Sequence, residues 1–257
     1  MALPNQADTD ALDALIDAWE HQQEGYVRFR SARFEVILDA LSYAFDQPAT
    51  VLDLGCGPGS FSKLILERFP AARTITLDYD PALLDLARHN LSGYADRAKV
   101  VEANLMDPAW TETLSGQELS AVVSSTALSW LPVSGLVTLY GQLARLLPES
   151  SLFFNADHLS RTTSGPFFAA VGAADDARQR AAVLSAGHPD WDRWWRELRS
   201  HEGFAALADE RDRRLSDAAP NAPLTPALHT ELLRISGFLE AGTIWQHFDD
   251  YVVYAVR

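Results

Sequence analysis

Cysteine is almost absent from this chain of 257 residues: Cys56 stands alone. An intrachain disulfide is therefore excluded, and a reducing, cytoplasmic setting is expected. Positive charge is scarce as well. Lys and Arg number 21 against 35 Asp and Glu, a formal charge of −14. Nucleic acids and anionic membrane surfaces are held by an excess of Lys and Arg, so neither is expected as a partner. No His or Cys spacing suits zinc and no His-Glu-x-x-His occurs, so no metal is expected. Internal repeats and low-complexity tracts are missing. The one long uncharged stretch, Leu119 to Ala144, is interrupted by Pro132. It also carries Ser120, Ser124, Ser125, Thr126, Ser129, Ser134, Thr138 and Gln142. It reads as a buried strand, a loop and an amphipathic helix rather than a bilayer span. Asp8, Asp10, Asp13, Asp17, Glu20 and Glu24 all precede the first Arg or Lys, Arg28. That is the reverse of a secretory or mitochondrial leader.

What remains is the composition of a folded globular chain, 47% apolar and 22% charged. Leu12, Leu15, Ile16 and Trp19 repeat at helical spacing, and a second helix is expected from Tyr26 to Phe45. Then the period changes. Thr50–Leu54 reads as a strand, Gly55-Cys-Gly-Pro-Gly59 as a tight turn, and Ser60 as the cap of a helix. Strands are expected at Thr74–Leu77, Lys99–Ala103, Ala121–Ser125 and Ser151–Asn155. Helices are expected at Pro81–Asn90 and Val133–Leu147. The segment after Ala156 is helical in propensity and holds the cluster His188-Pro-Asp-Trp-Asp-Arg-Trp-Trp195. Asn221 to Pro226 reads as a loop into a helix ending at Ser236. Strands Gly242–His247 and Tyr251–Val256 follow, with Asp249-Asp250 as the turn between them. Five alternations and a closing hairpin predict an α/β fold: a doubly wound, Rossmann-like, seven-stranded, mostly parallel sheet with a C-terminal antiparallel hairpin.

Such sheets bind ligands outside the carboxyl ends of their strands. Gly55-x-Gly57-x-Gly59 follows a strand and opens a helix, where backbone N–H groups are free. The dinucleotide pattern requires a further glycine where Ser60 stands. Asp78 ends the second strand, where an acid accepts ribose hydroxyls. Asp53, just ahead of the glycines, suits a cation better than a pyrophosphate. A nucleoside bearing positive charge satisfies both acids, and S-adenosylmethionine is such a molecule.

These residues resemble the motifs of the class I S-adenosylmethionine-dependent methyltransferases. Val51-Leu-Asp-Leu-Gly-Cys-Gly-Pro-Gly-Ser-Phe-Ser62 is similar to the family's first motif, and Leu77-Asp-Tyr-Asp-Pro-Ala-Leu-Leu84 to its second. Val101-Glu-Ala-Asn-Leu105 resembles the adenine-flanking motif. Ser120 to Pro132 resembles the fourth-strand motif, and Leu143-Ala-Arg-Leu-Leu-Pro148 the helix end that follows. Asn104 stands where the family often has an acid, Ser129 where it commonly has His. Asn-Pro-Pro-aromatic is absent, which points away from DNA or protein amides as acceptors.

The resemblance implies one methyltransferase domain over 1–257. It has a helical cover at 10–45, a cofactor-binding core at 46–155 and 229–257, and a helical insertion at 156–228 lying over the substrate cleft. It implies S-adenosylmethionine as methyl donor and S-adenosylhomocysteine as product. Asp78 and Tyr79 are expected at the ribose, Gly55, Gly57 and Gly59 at the amino-acid tail, and Asn104 and Leu105 at the adenine edge. Asp53 is expected at the amino group, Tyr26 and Arg30 over the carboxylate, and Ser124 beside the donor. The acceptor, a small molecule methylated at oxygen or nitrogen, is expected among Trp130, Asn155, His188, Trp191 and Trp195. Asp157 and His158 are the expected acid–base pair, with Ser129 beside them; Cys56 is expected as a buried filler. A homodimer is compatible with this reading. The rival readings are a cofactor-binding protein of the same fold with another reaction or none, and a nicotinamide oxidoreductase.

Overall fold

The computed structural model describes residues 6–159, 166–216 and 224–257. Helices α1 (Gln6–Glu24) and α2 (Arg30–Ala44) lead into the sheet. The alternation then runs β1 (Thr50–Leu54), α3 (Ser60–Arg68), β2 (Arg73–Asp78), α4 (Pro81–Asn90), β3 (Ala98–Glu102), β4 (Ala121–Ser125), α5 (Val133–Leu146) and β5 (Leu152–His158). Helices α6 (Pro166–Ser185), α7 (Trp191–Ser200) and α8 (Phe204–Leu215) follow. Helix α9 (Pro226–Ser236) and the hairpin β6 (Glu240–His247) and β7 (Asp250–Val256) close the chain. The sheet order is β3-β2-β1-β4-β5-β7-β6. β1 to β5 pair in parallel, and β7 runs antiparallel between β5 and β6. The expected α/β, Rossmann-like, seven-stranded sheet with its terminal hairpin is the observed one.

The central parallel strands β1 and β4 are buried on both faces, whereas the edge strand β3 is only partly covered. Leu52 and Leu54 of β1 join the core under α5 and α9, while Val51 joins the core under α2 and α3. A third core lies outside the sheet. Leu15, Ile16 and Trp19 of α1 pack with Leu83 and Leu86 of α4, Trp194 and Trp195 of α7, and Phe204 of α8. The Trp194 indole donates to the Leu15 carbonyl at 3.0 Å, giving its polar edge the partner that burial demands. The cluster around Trp194 thus fastens the later helices to the first one.

Several boundaries differ from expectation, each for a local reason. Helix α2 begins at Arg30 because Phe29 adopts φ 50°, a left-handed conformation that stops the helix before Tyr26. Strand β5 continues through Asp157 and His158 because β7 pairs with it along that length, His158 opposite Asp250. The hairpin turn is Phe248-Asp249, and Asp250 is a buried strand residue. The N-cap of helix α3 is Gly59 rather than Ser60, and the first turn takes its carboxylate partner from β1. The Asp53 carboxylate accepts from the backbone N–H and the hydroxyl of Ser62, at 3.2 and 2.7 Å. Asp80 caps α4 through Ala82 and Leu83 N–H, as its position before Pro81 predicts. Of the loop expected at 221–226, residues 221–223 lie outside the described residues; Thr225 caps α9. No helix among the described residues is long and apolar enough to cross a membrane.

Candidate active site

A cavity of about 1330 Å³ opens at the carboxyl ends of β1 to β5, under residues from α1, α6, α7 and α8. Its floor is the β1–α3 turn. Gly55 has φ 69°, and a Cβ there would stand 2.2 Å from the Ala127 Cβ, so only glycine fits. The N–H of Gly57 donates to Asp78 Oδ2 at 2.8 Å, and Asp78 Oδ1 accepts from Tyr79 and Asp80 N–H at 2.7 and 2.9 Å. Burial raises the Asp78 carboxyl above its usual range, against those three donors. Burial likewise pushes Asp53 up to about 7, opposed by the Ser62 hydrogen bonds and aided by the Asp78 charge. Burial also raises the Cys56 thiol well above its ordinary value, so it stays protonated.

On the β3 side the wall is Ala103, Asn104, Leu105 and Met106. The Asn104 side-chain oxygen already accepts from Met106 N–H at 2.9 Å, which fixes the turn. Helix α8 reaches this end with two arginines. Arg214 lies 4.8 Å over the Tyr79 ring, donates to the Tyr79 carbonyl at 2.9 Å and pairs with Glu102 at 2.7 Å. Arg211 bonds Asp80 at 2.8 Å, with its guanidinium 4.1 Å from the Trp195 ring centre. Near the amino end of α3, Glu20 of α1 receives both Arg30 and the Ser60 hydroxyl. The Tyr26 hydroxyl accepts from Trp191 N–H at 3.4 Å.

The β4–β5 side holds Ser129, Trp130, Asp157 and His158. Ser129 contributes its backbone N–H, which donates to Asp157 Oδ2 at 3.0 Å. Asp157 is buried, and that burial raises its carboxyl. His158 Nδ1 lies 2.6 Å from Asp250 Oδ1 rather than against its neighbour Asp157. Asp250 also receives Arg28 Nε at 2.6 Å and the Arg33 guanidinium. Arg28 in turn meets Asp176 at 3.2 Å, Asp175 at 3.6 Å, and Asp249. Burial lowers the His158 pKa, but the hydrogen bond and charge of Asp250 outweigh it and hold the imidazole above its ordinary value. These residues form one buried charge cluster joining α2, α6, β5 and β7.

The cavity therefore gathers Tyr26, Arg30, Asp53, Gly55, Gly57, Asp78, Tyr79, Asn104, Leu105, Ser129, Trp130, Asp157, His158 and Trp191. Five expected residues lie outside its wall. The Ser124 hydroxyl turns into the sheet and donates to the Leu54 carbonyl at 2.8 Å. Asn155 is enclosed within β5, with neither side-chain atom partnered among the described residues. Gly59 faces Leu91 on the back of the turn. His188 stacks on His21 with ring centres 4.0 Å apart, and Trp195 packs against Trp194.

A family profile described as a methyltransferase domain matches residues 51–150. The trans-aconitate 2-methyltransferase of Methylobacterium nodulans is 31% identical over 189 residues, covering 68% of this chain and 66% of that protein. Its counterpart from Azoarcus sp. is 31% identical over 166 residues, 61% of this chain and 60% of that one. The matched stretch thus spans less than two thirds of either relative. Over residues 51–150 this chain is similar to the class I S-adenosylmethionine-dependent methyltransferases. Among solved structures, the fold is shared with the S-adenosylmethionine-dependent methyltransferase SibL (TM-score 0.56, 15% identity, 87% of this chain and 54% of that one). It is shared too with an O-methyltransferase family protein from Burkholderia thailandensis (TM-score 0.56, 14% identity, 96% and 70%). PigF, solved with SAH, has a TM-score of 0.54 at 14% identity, over 86% and 54% of the two chains.

The cavity suits the methyl donor of the proteins this chain resembles. A Cβ at Gly57 would stand 3.7 Å from Trp19, filling space at the floor of the cavity, and Asp53 and Asp78 give that floor the negative charge a sulfonium compound calls for. Sequence reasoning missed Arg28, Arg33, Asp176, Arg211, Arg214 and Asp250. The spacing of Arg28 and Arg33 carries no signal that these cations turn inward, since residues five apart do not share a helix face.

Proposed function

We propose that this chain transfers a methyl group from S-adenosylmethionine to oxygen or nitrogen of a small molecule. The observation that carries the reading is the Gly55–Gly57 turn tied to the Asp78 carboxylate at the floor of the strand-end cavity. When bound, S-adenosylmethionine supplies an activated methyl on positively charged sulfur. In this reading Asp78 and Tyr79 hold the ribose, and Ala103, Asn104 and Leu105 flank the adenine. Asp53 and the turn face the amino-acid tail, with Arg30 released from Glu20 to meet the carboxylate. Arg211 and Arg214 close the adenosine end from α8. The α6–α8 segment covers the cleft, and Trp130 and Trp191 line the acceptor's path.

The relatives' name supports a small organic molecule as the acceptor class. The reaction is an in-line displacement, so much of its rate comes from positioning in a site of matched charge. His158, with Nδ1 directed at Asp250, keeps Nε2 to accept a proton from the acceptor. Solitary Cys56 and the acidic surface fit a cytoplasmic enzyme acting as a monomer or homodimer.

Calorimetric titration of S-adenosylhomocysteine into the wild type and Asp78→Ala, with NADH as control, tests the reading. Micromolar binding that Asp78→Ala abolishes supports it. Preference for NADH, or no binding of S-adenosylhomocysteine, overturns it.

A further inference from the structure

We infer that the acceptor presents a neutral hydroxyl, an alcohol or a phenol, and is not a carboxylate. The inference rests on the methyl-transfer reading above, and two independent features of the β5–β7 end carry it.

The first is the base. A carboxylate is already ionised at neutral pH and can accept a methyl without losing a proton; a hydroxyl must lose one. The structure holds His158 at the cavity wall, its side chain 39% exposed, with Nδ1 fixed 2.6 Å from Asp250. Asp250 is itself buried and held by Arg28 and Arg33, both buried. Three charged side chains taken out of water are a costly arrangement, and here they orient one imidazole. That apparatus serves an acceptor with a proton to give up. In the step, the bond from acceptor oxygen to carbon forms as the bond from methyl to sulfur breaks, its electron pair remaining on sulfur. The hydroxyl proton passes to Nε2 of His158 and later to water.

The second is charge. Asp157, Asp176 and Asp249 line this end of the cavity, and Asp175 and Asp250 lie directly behind. Two buried guanidiniums, Arg28 and Arg33, meet Asp175, Asp176, Asp249 and Asp250, and Asp175 also meets Arg178 and His247; Asp157 accepts from the backbone N–H groups of Ser129 and His158. Arg180, on the exposed side of α6, is the lining cation that has no acidic partner among the described residues. An incoming carboxylate therefore meets an excess of negative charge, and each like charge added close by opposes it further. A neutral hydroxyl compound meets no such opposition. Trp130, 51% exposed at the same wall, offers it a flat apolar face.

The test uses the full chain saturated with S-adenosylhomocysteine and titrated with 4-methylphenol, benzyl alcohol, 4-methylbenzoate and trans-aconitate. At least one hydroxyl probe is expected to bind about tenfold more tightly than either carboxylate. Asp176→Asn combined with Asp249→Asn is expected to narrow that gap by strengthening 4-methylbenzoate. His158→Gln, which keeps the side chain's bulk and polarity, is expected to retain hydroxyl binding within about twofold while methyl transfer is lost. In the wild type the transfer rate should follow deprotonation of His158, the imidazole that faces Asp157, Asp176, Asp250 and Arg33. Tighter binding of 4-methylbenzoate or trans-aconitate than of both hydroxyl probes overturns the inference, as does unimpaired methylation of trans-aconitate by His158→Gln. Failure of S-adenosylhomocysteine to bind at the outset is a different result: it removes the methyl-transfer reading itself.

Discussion

The two ends of the cavity are built in opposite ways. The β1–β2 end is local: Gly55, Gly57 and Asp78 fall within one strand–turn–helix–strand unit, and its key contact, Gly57 to Asp78, spans 21 residues. Its chemistry is mostly backbone, with N–H groups and a conformation that only glycine takes up easily. The β5–β7 end is assembled from distance. Arg28 meets Asp250 across 222 residues and Arg33 meets it across 217. Its chemistry is side-chain charge, with carboxylates outnumbering the two buried guanidiniums that bind them. One end of the cavity thus comes from a short motif. The other comes from side chains that any rearrangement of the distant elements would scatter.

Substitutions should separate these ends. Asp250→Asn is expected to have the largest effect, because it leaves Arg33 buried without a counter-charge; a loss of about 3–5 kcal/mol is expected in urea unfolding. It should also free His158 from the contact that raises its pKa. The wild-type rate should climb with pH through a midpoint above 6.5, since the base acts when deprotonated, and Asp250→Asn should move that midpoint lower. A pH–rate midpoint unchanged by the substitution would separate Asp250 from the base. His158→Gln comes next. It should lower the rate constant for transfer about a hundredfold or more, with S-adenosylhomocysteine affinity kept. Loss of that affinity instead would erase the division between the ends.

Gly55→Ala probes the local end. Its Cβ has no room against Ala127, and about 1–3 kcal/mol of stability should be lost along with donor affinity. Unaltered binding by this variant would mean that the turn does not seat the donor. The smallest effect concerns protons. Asp53, held near pH 7 by burial, should ionise when a cationic donor arrives. At pH 6, binding of S-adenosylmethionine should therefore release a fraction of a proton, read from calorimetry in buffers of different ionisation heat. S-adenosylhomocysteine, lacking the sulfonium, should release less.

The same contrast decides what could be read from the sequence. β1, α4, β4 and α9 were legible to the residue, because each is bounded by local signals such as Asp80-Pro81, Thr225-Pro226 and the glycine turn. The floor of the cavity was legible for the same reason. Asp250 was not. Asp249-Asp250 carries the composition of a turn, and only pairing with β5 draws the second aspartate into a strand. Arg28 and Arg33 look like the solvated face of a helix until Asp250 is brought against them. Ser124 and Asn155 occupy strand ends in a linear reading, yet the pleat turns both into the sheet. His158 was found, but its partner was sought in Asp157 next door rather than across the sheet.

The separation of Arg28 from Asp250 also sets an order in time. Synthesis at about 5–20 residues per second leaves roughly 10–40 seconds between the emergence of the arginine and that of its carboxylate. During that interval the glycine turn, β2 and α4 are all present and able to settle. Arg28 and Arg33 have not yet met the aspartate that lets them leave water. The glycine turn and Asp78 are in place early in the life of each molecule; the contact of Arg28 and Arg33 with Asp250 forms much later.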